Sequence, residues 1–200
     1  MSSACLITCA LLLSPALFAQ VQQPGQLPSD STNTEPLTLK EKYRVALNRS
    51  VDPIEFVRIA FGAGIDQARN YPREWGQGWD AFGVRMASGF GQQLVREQIE
   101  FGVWAIDHED PRHQRSGLHG VWPRTKYAVI HTFMARRDDG SQIPAYSRFI
   151  GDYGAGFISR EWYPDRFHNV QQGFEAGTVS LGLDVGLNVA REFIPHWLIH

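Results

Sequence analysis

Trp79 to Ile106, WDAFGVRMASGFGQQLVREQIEFGVWAI, is the stretch on which the reading of this chain turns. Phe82, Met86, Phe90 and Leu94 fall four apart, and Gly83, Ala87 and Gly91 fall four apart beside them. A period of 3.6 sets both series as adjacent stripes on one long helix. Arg96 and Glu100 stand one turn apart and are expected to pair on the wet side. Asp107 to Gly120 breaks the pattern with Pro111, Gly117 and Gly120.

The same combination of helical period and small residues recurs on either side. Leu39 to Asn48 predicts a short helix. Asp52-Pro53-Ile54-Glu55 combines a capping acid, a proline at the first helical position and an acid in the first turn, and Ile54, Val57, Phe61, Ile65 and Ala68 follow. A further helix runs from Trp122 to about Ala135. Asp138-Asp139-Gly140 then makes a turn that can also close a hairpin. Pro144 to Arg160 is helical, with Tyr146, Ile150, Tyr153 and Phe157 on one face.

Thr178 to Ala190 reads two ways. Val179, Leu181, Leu183, Val185, Leu187 and Val189 alternate as in a strand, yet Leu181, Val185 and Val189 also form a helical stripe. Helix is preferred, because glycines weaken a strand interior. Gly83/Ala87/Gly91, Gly151/Ala155, Gly173/Gly177 and Gly182/Gly186 repeat at helical spacing. Each glycine costs a helix roughly 1 kcal/mol against alanine. Close approach of helix backbones is the gain that justifies them. The expected fold is all-α: a single bundle of five or six helices with small-residue packing.

The bundle is expected over 39–200, after a signal peptide (1–19) and a disordered linker (20–38). Cys5 to Leu13 is a short apolar run, broken at Ser14-Pro15, with small residues before Gln20. Gln20 to Thr38 is too polar to order itself. Both cysteines, Cys5 and Cys9, fall in the signal, so no disulfide or thiolate site is expected in the mature chain. A formal net charge of −2 gives no basic field for nucleic acid.

The densest polar cluster is Asp107 to His113, where acids and imidazoles stand together. His108 and His113 are five apart with a proline between, unlike helical metal pairs, and no metal or cofactor is expected. Asp152 and Asp184 lie in glycine-rich helices; an internal ion pair with Arg148, Arg160 or Arg166 is the plain reading. A pocket joining His108, Asp110, His131 and Asp152 is the sharper one, and these four are the catalytic candidates. Arg112, Arg148, Trp162, Tyr163 and Arg166 are the candidate ligand contacts. The three motif blocks of lipid-phosphate phosphatases are not met, and no G-x-S-x-G, Walker or dinucleotide motif occurs.

His108-Glu109-Asp110-Pro111-Arg112, Lys126-Tyr127-Ala128, Arg137-Asp138-Asp139-Gly140, Tyr146-Ser147-Arg148, Tyr163-Pro164 and Arg191-Glu192-Phe193-Ile194-Pro195 together resemble a family of exported bacterial proteins without an established activity. The family usually has an aromatic residue where this chain has His113. The resemblance implies export and a helical fold, and no substrate. The leading expectation is a non-enzymatic envelope module in the periplasm or at the outer membrane, partnered by an envelope protein or a membrane surface. The alternatives are a hydrolase built on the His/Asp set and a small β-rich lipid-binding or outer-membrane protein.

Overall fold

The computed structural model describes residues 35–112 and 116–194. The signal peptide, most of the linker, His113, Arg115 and Pro195 lie outside the described residues. Within them the chain forms six α-helices and one short hairpin. They are α1 (Leu39–Ser50), α2 (Pro53–Arg69), α3 (Trp79–Asp107), α4 (Val121–Phe133), α5 (Tyr146–Ser159) and α6 (Val170–Phe193). Strands β1 (Met134–Arg136) and β2 (Gln142–Pro144) pair antiparallel, with Ala135 opposite Ile143.

The helix ends follow local chemistry. Asp52 Oδ1 accepts the Ile54 amide at 2.8 Å, and Pro53 occupies the first helical position. Thr38 and Glu41 close a reciprocal capping box at the start of α1. Asn169 caps α6 by accepting the Gln172 amide at 2.9 Å. That cap opens a helix through the alternating stretch 178–190, so the β-rich alternative loses its footing. The Asp139-Gly140 turn does close a hairpin, with Gly140 at φ +87°, and α4 stops at Phe133 rather than Ala135.

α3 is the spine. α1, α2 and α5 pack on it, α6 packs on α5, and α4 packs on α6. Small residues draw the α5–α6 seam together. A Cβ on Gly156 would lie 2.8 Å from the Gly173 carbonyl oxygen and 2.8 Å from the Gly177 nitrogen. Gly151 and Gly154 likewise admit Glu100 and Ile99 of α3. The expectation fails for Gly83, Gly182 and Gly186, where a Cβ would meet nothing within 4 Å. Those three face outward, because the stripe that turns inward on α3 and α6 is polar.

Gly156→Ala must push two backbones apart, and an overpacked seam costs about 1–3 kcal/mol. Gly182→Ala and Gly186→Ala add a methyl to open space and are expected to stabilise by about 0.5–1 kcal/mol each. Thermal unfolding followed by circular dichroism should therefore move in opposite directions for the two sites.

Candidate functional site

α3 and the later turns of α6 turn charge inward and hydrocarbon outward. On α3 the buried positions include Arg85, Ser88, Gln93, Arg96, Glu97 and Glu100. Its exposed positions between Asp80 and Asp107 are Gly83, Val84, Ala87, Leu94, Gln98 and Ile106, of which one is polar. α6 buries Ser180, Asp184, Asn188 and Glu192, spaced four apart. The exposed positions of α6 between Thr178 and Arg191 are Val179, Gly182, Leu183, Gly186 and Ala190. Phe61 of α2 is 65% exposed and Val179 62%, whereas Asp152 is wholly buried.

Arg96 sits at the centre. Its Nη1 lies 2.8 Å from Asp184 Oδ1 on α6 and 3.4 Å from Asp152 Oδ1 on α5. Its Nε lies 3.2 Å from Glu100 Oε1, and its Nη2 lies 3.7 Å from Glu97 Oε1. Outer arginines complete the charge balance. Arg148 Nε lies 3.6 Å from Asp184 Oδ2, and Arg49 Nη1 lies 3.6 Å from Glu100 Oε2. Gln93 donates to Glu97 at 2.9 Å and accepts from Arg58 at 2.6 Å. Arg58 and Arg191 both pair with Glu55. The Arg96–Glu100 pair expected on the wet side thus lies inside, because three helices bring it acids that only burial can neutralise together.

Burial decides the proton count. It pushes the Asp152 carboxyl up to about 8, against the pull of Arg96. It raises Glu97 to about 7, helped by Glu100 alongside. At Asp184 burial also opposes ionisation, yet Arg96 and Arg148 together hold the carboxyl below its ordinary value. Arg96 loses solvation but gains four acids, which keep its charge fixed. The cluster therefore stores protons near neutral pH on two carboxyls and a full charge on the third.

The four catalytic candidates go to separate partners. His108 is exposed at the left-handed C-cap of α3, with φ 55°. Asp110 takes the Arg112 guanidinium at 2.8 Å. His131 stacks on Tyr127 with ring centroids 3.9 Å apart, and burial lowers its pKa. Asp152 belongs to the Arg96 cluster. The loop after α3 is stitched to the hairpin: the Asp110 amide donates to the Arg136 carbonyl at 2.7 Å, and Lys42 ties the Glu109 carbonyl to Asp138. Among the described residues, no group of three or more His, Cys, Asp or Glu is placed to hold a metal ion.

The ligand candidates scatter too. Arg148 links the Thr132 carbonyl to Asp184, and so supplies one partner the acids needed; Arg160 and Arg166 do not. Trp162 Nε1 donates to Ser88 Oγ at 2.9 Å. Tyr163 packs between Trp75 and Phe167, and Arg166 pairs with Glu74 at the surface. The chain matches no family model, no curated protein and no solved structure. Sequence reasoning missed Arg96, Glu97 and Gln93 as a site. The signal was present: Ser180, Asp184, Asn188 and Glu192 form a polar stripe at helical spacing.

Arg96→Met strands several buried carboxylates, which costs about 3–5 kcal/mol, and the urea midpoint should fall accordingly. Asp152 adds a pH dependence. Its folded pKa lies above the ordinary value, so the folded chain binds the extra proton. That contribution is whole below about pH 4 and is lost as pH rises through about 8. Urea melts should weaken across this window, and Asp152→Asn should flatten the slope.

Proposed function

We propose that this chain is an exported, non-enzymatic module of the bacterial envelope whose apolar exterior is covered by lipid. The observation that carries the reading is the inversion of polarity: acids and arginines close on one another inside, and large apolar side chains remain outside on every helix. Exposed apolar area on this scale is a site of contact. A protein partner covers one face. Here Leu47, Phe61, Val84, Ile130, Ile150 and Val179 expose hydrocarbon on six different helices, which suits a surrounding medium better than a single partner. Trp79 and Trp122, exposed in the first turns of α3 and α4, are rings suited to the headgroup level.

Among the described residues, no helix is long and apolar enough to cross a membrane. The seating proposed is against lipid, and no spanning topology is assigned. The apolar run and small-residue end of the first 19 residues, and the resemblance to exported bacterial proteins, support delivery to the envelope. An ion cluster in which Arg96 already faces four acids supports a structural role over a hydrolytic one, since its charges are committed to one another.

Fractionation and flotation test this reading. The exported chain should pellet with membranes, resist a high-salt wash and need detergent for release. The purified chain should float with phosphatidylethanolamine–phosphatidylglycerol vesicles. A detergent-free monomer that ignores vesicles sinks the proposal. A soluble oligomer that hides the same side chains also sinks it, in favour of self-association.

A further inference from the structure

A cavity of about 530 Å³ lies between α2, α3 and α6 and reaches the turn after α5. That volume falls within the usual range of small-molecule sites. Ile59, Phe61, Ile65, Ala176, Val179 and Leu183 make its walls, and Arg85 and Arg160 lie at its polar end. We propose that this cavity binds an anionic amphiphile, with a single acyl chain between α2 and α6 and its carboxylate or phosphate head at Arg160.

Arg160 carries the argument. It is 7% exposed, and its Nε has no hydrogen-bond partner among the described residues. One Nη donates to Ser159 Oγ at 3.2 Å, and the guanidinium lies 3.8 Å from the Tyr163 ring centroid. No carboxylate comes within ion-pair distance of it among the described residues, unlike Arg96, which lines the same cavity. A buried charge with an unused donor is costly unless a partner arrives. Arg85, 3% exposed, donates to the carbonyls of Tyr71, Pro72 and Gly76 and to the Gln67 amide oxygen; no carboxylate lies within ion-pair distance of it among the described residues, and its charge acts on Asp66 from further away. Arg58, Arg69 and Arg96 also line the cavity, and Asp66 and Glu175 are the acids there. Burial raises the Asp66 carboxyl, while Arg85, Arg69 and Arg160 pull it the other way.

The two halves of the cavity specify one ligand class. A purely polar anion would leave the aliphatic walls uncovered. A neutral hydrocarbon would leave the Arg160 donor unmet. An acyl chain with an anionic head answers both. This site is a cleft between helices and does not depend on the exterior being covered by lipid.

The test uses the full chain purified in a neutral detergent, with calorimetric titration of decanoate, decyl phosphate, decanol and inorganic phosphate. Decanoate or decyl phosphate should bind at least about tenfold more tightly than decanol. The tighter of the two names the head group, and inorganic phosphate should be far weaker than decyl phosphate. Arg160→Met should erase the preference for the charged head and leave decanol unchanged. Ala176→Trp, which fills the cavity, should weaken all three amphiphiles. Equal affinity for decanoate, decyl phosphate and decanol in the unmodified chain overturns the proposal, and so does phosphate binding as tight as decyl phosphate. If Arg160→Met fails to fold by circular dichroism, the comparison of charged and neutral heads in the unmodified chain decides alone. Phe61 and Val179 belong to both surfaces, but the head-group preference reads Arg160 and flotation reads the apolar exterior, so a failure of the preference leaves the lipid-covered exterior standing, and the reverse.

Discussion

Arg96 is held by Asp184, Asp152, Glu100 and Glu97, and those acids come from three different helices. A buried guanidinium tolerates its lost solvation only when acids surround it, and the acids tolerate theirs only through it. Each helix is thereby fixed in rotation as well as position. If α6 turned by one residue, Asp184 would leave Arg96 and each would lose its closest partner. The glycines serve that constraint. α5 and α6 must approach closely for Asp152 and Asp184 to share one arginine, and Gly156, Gly173 and Gly177 allow it.

Charge pairing of this kind gives orientation more than net stability. Its desolvation cost offsets much of its attraction, and an apolar core of equal volume would often hold a bundle as well. What the arrangement does provide is an interior that repels hydrocarbon and an exterior free to carry it. The protons near neutral pH on Asp152 and Glu97 belong to the same logic. Two carboxyls are pushed toward the neutral form because burial strips their solvation and neighbouring acids add to it, against the pull of Arg96.

The all-α architecture was legible in the sequence, and the helix starts most of all. Asp52-Pro53 states its cap in local chemistry that tertiary packing does not override, whereas Thr38, read as the end of the linker, proves to cap α1 with Glu41. The direction each helix faces was not legible from the apolar stripes. Phe82, Met86, Phe90 and Leu94 mark a real face of α3, but apolar spacing says only that a face exists. Which face turns inward depended on whether polar stripes on other helices could neutralise Arg96. That is a question about three segments at once, and it is answered by the recurrence of Asp152 and Asp184 opposite it. The ion pair for the two aspartates was readable as a need; the identity of the main donor was not, because Arg96 looked committed to Glu100 on a wet face. His108, Asp110 and His131 attracted notice for their residue types, yet His108 is exposed at a helix end while Asp110 and His131 meet local partners.

Gly83, Gly182 and Gly186 sharpen the contrast between the two sides of the molecule. Inside, at Gly156, the missing side chain is used by a neighbouring backbone. Outside, the same economy has no user in the chain, although each glycine still weakens its helix by roughly 1 kcal/mol against alanine. These positions sit among Val84, Val179 and Leu183, on faces already rich in exposed hydrocarbon. A helix face that is both apolar and smooth loses little to a fluid apolar surrounding and much to water. The polar stripe and the outward glycines are then two consequences of one pattern. On α3 and α6 the charged residues are spent on holding three helices in register around Arg96, and the outward faces left over there are largely hydrocarbon and backbone.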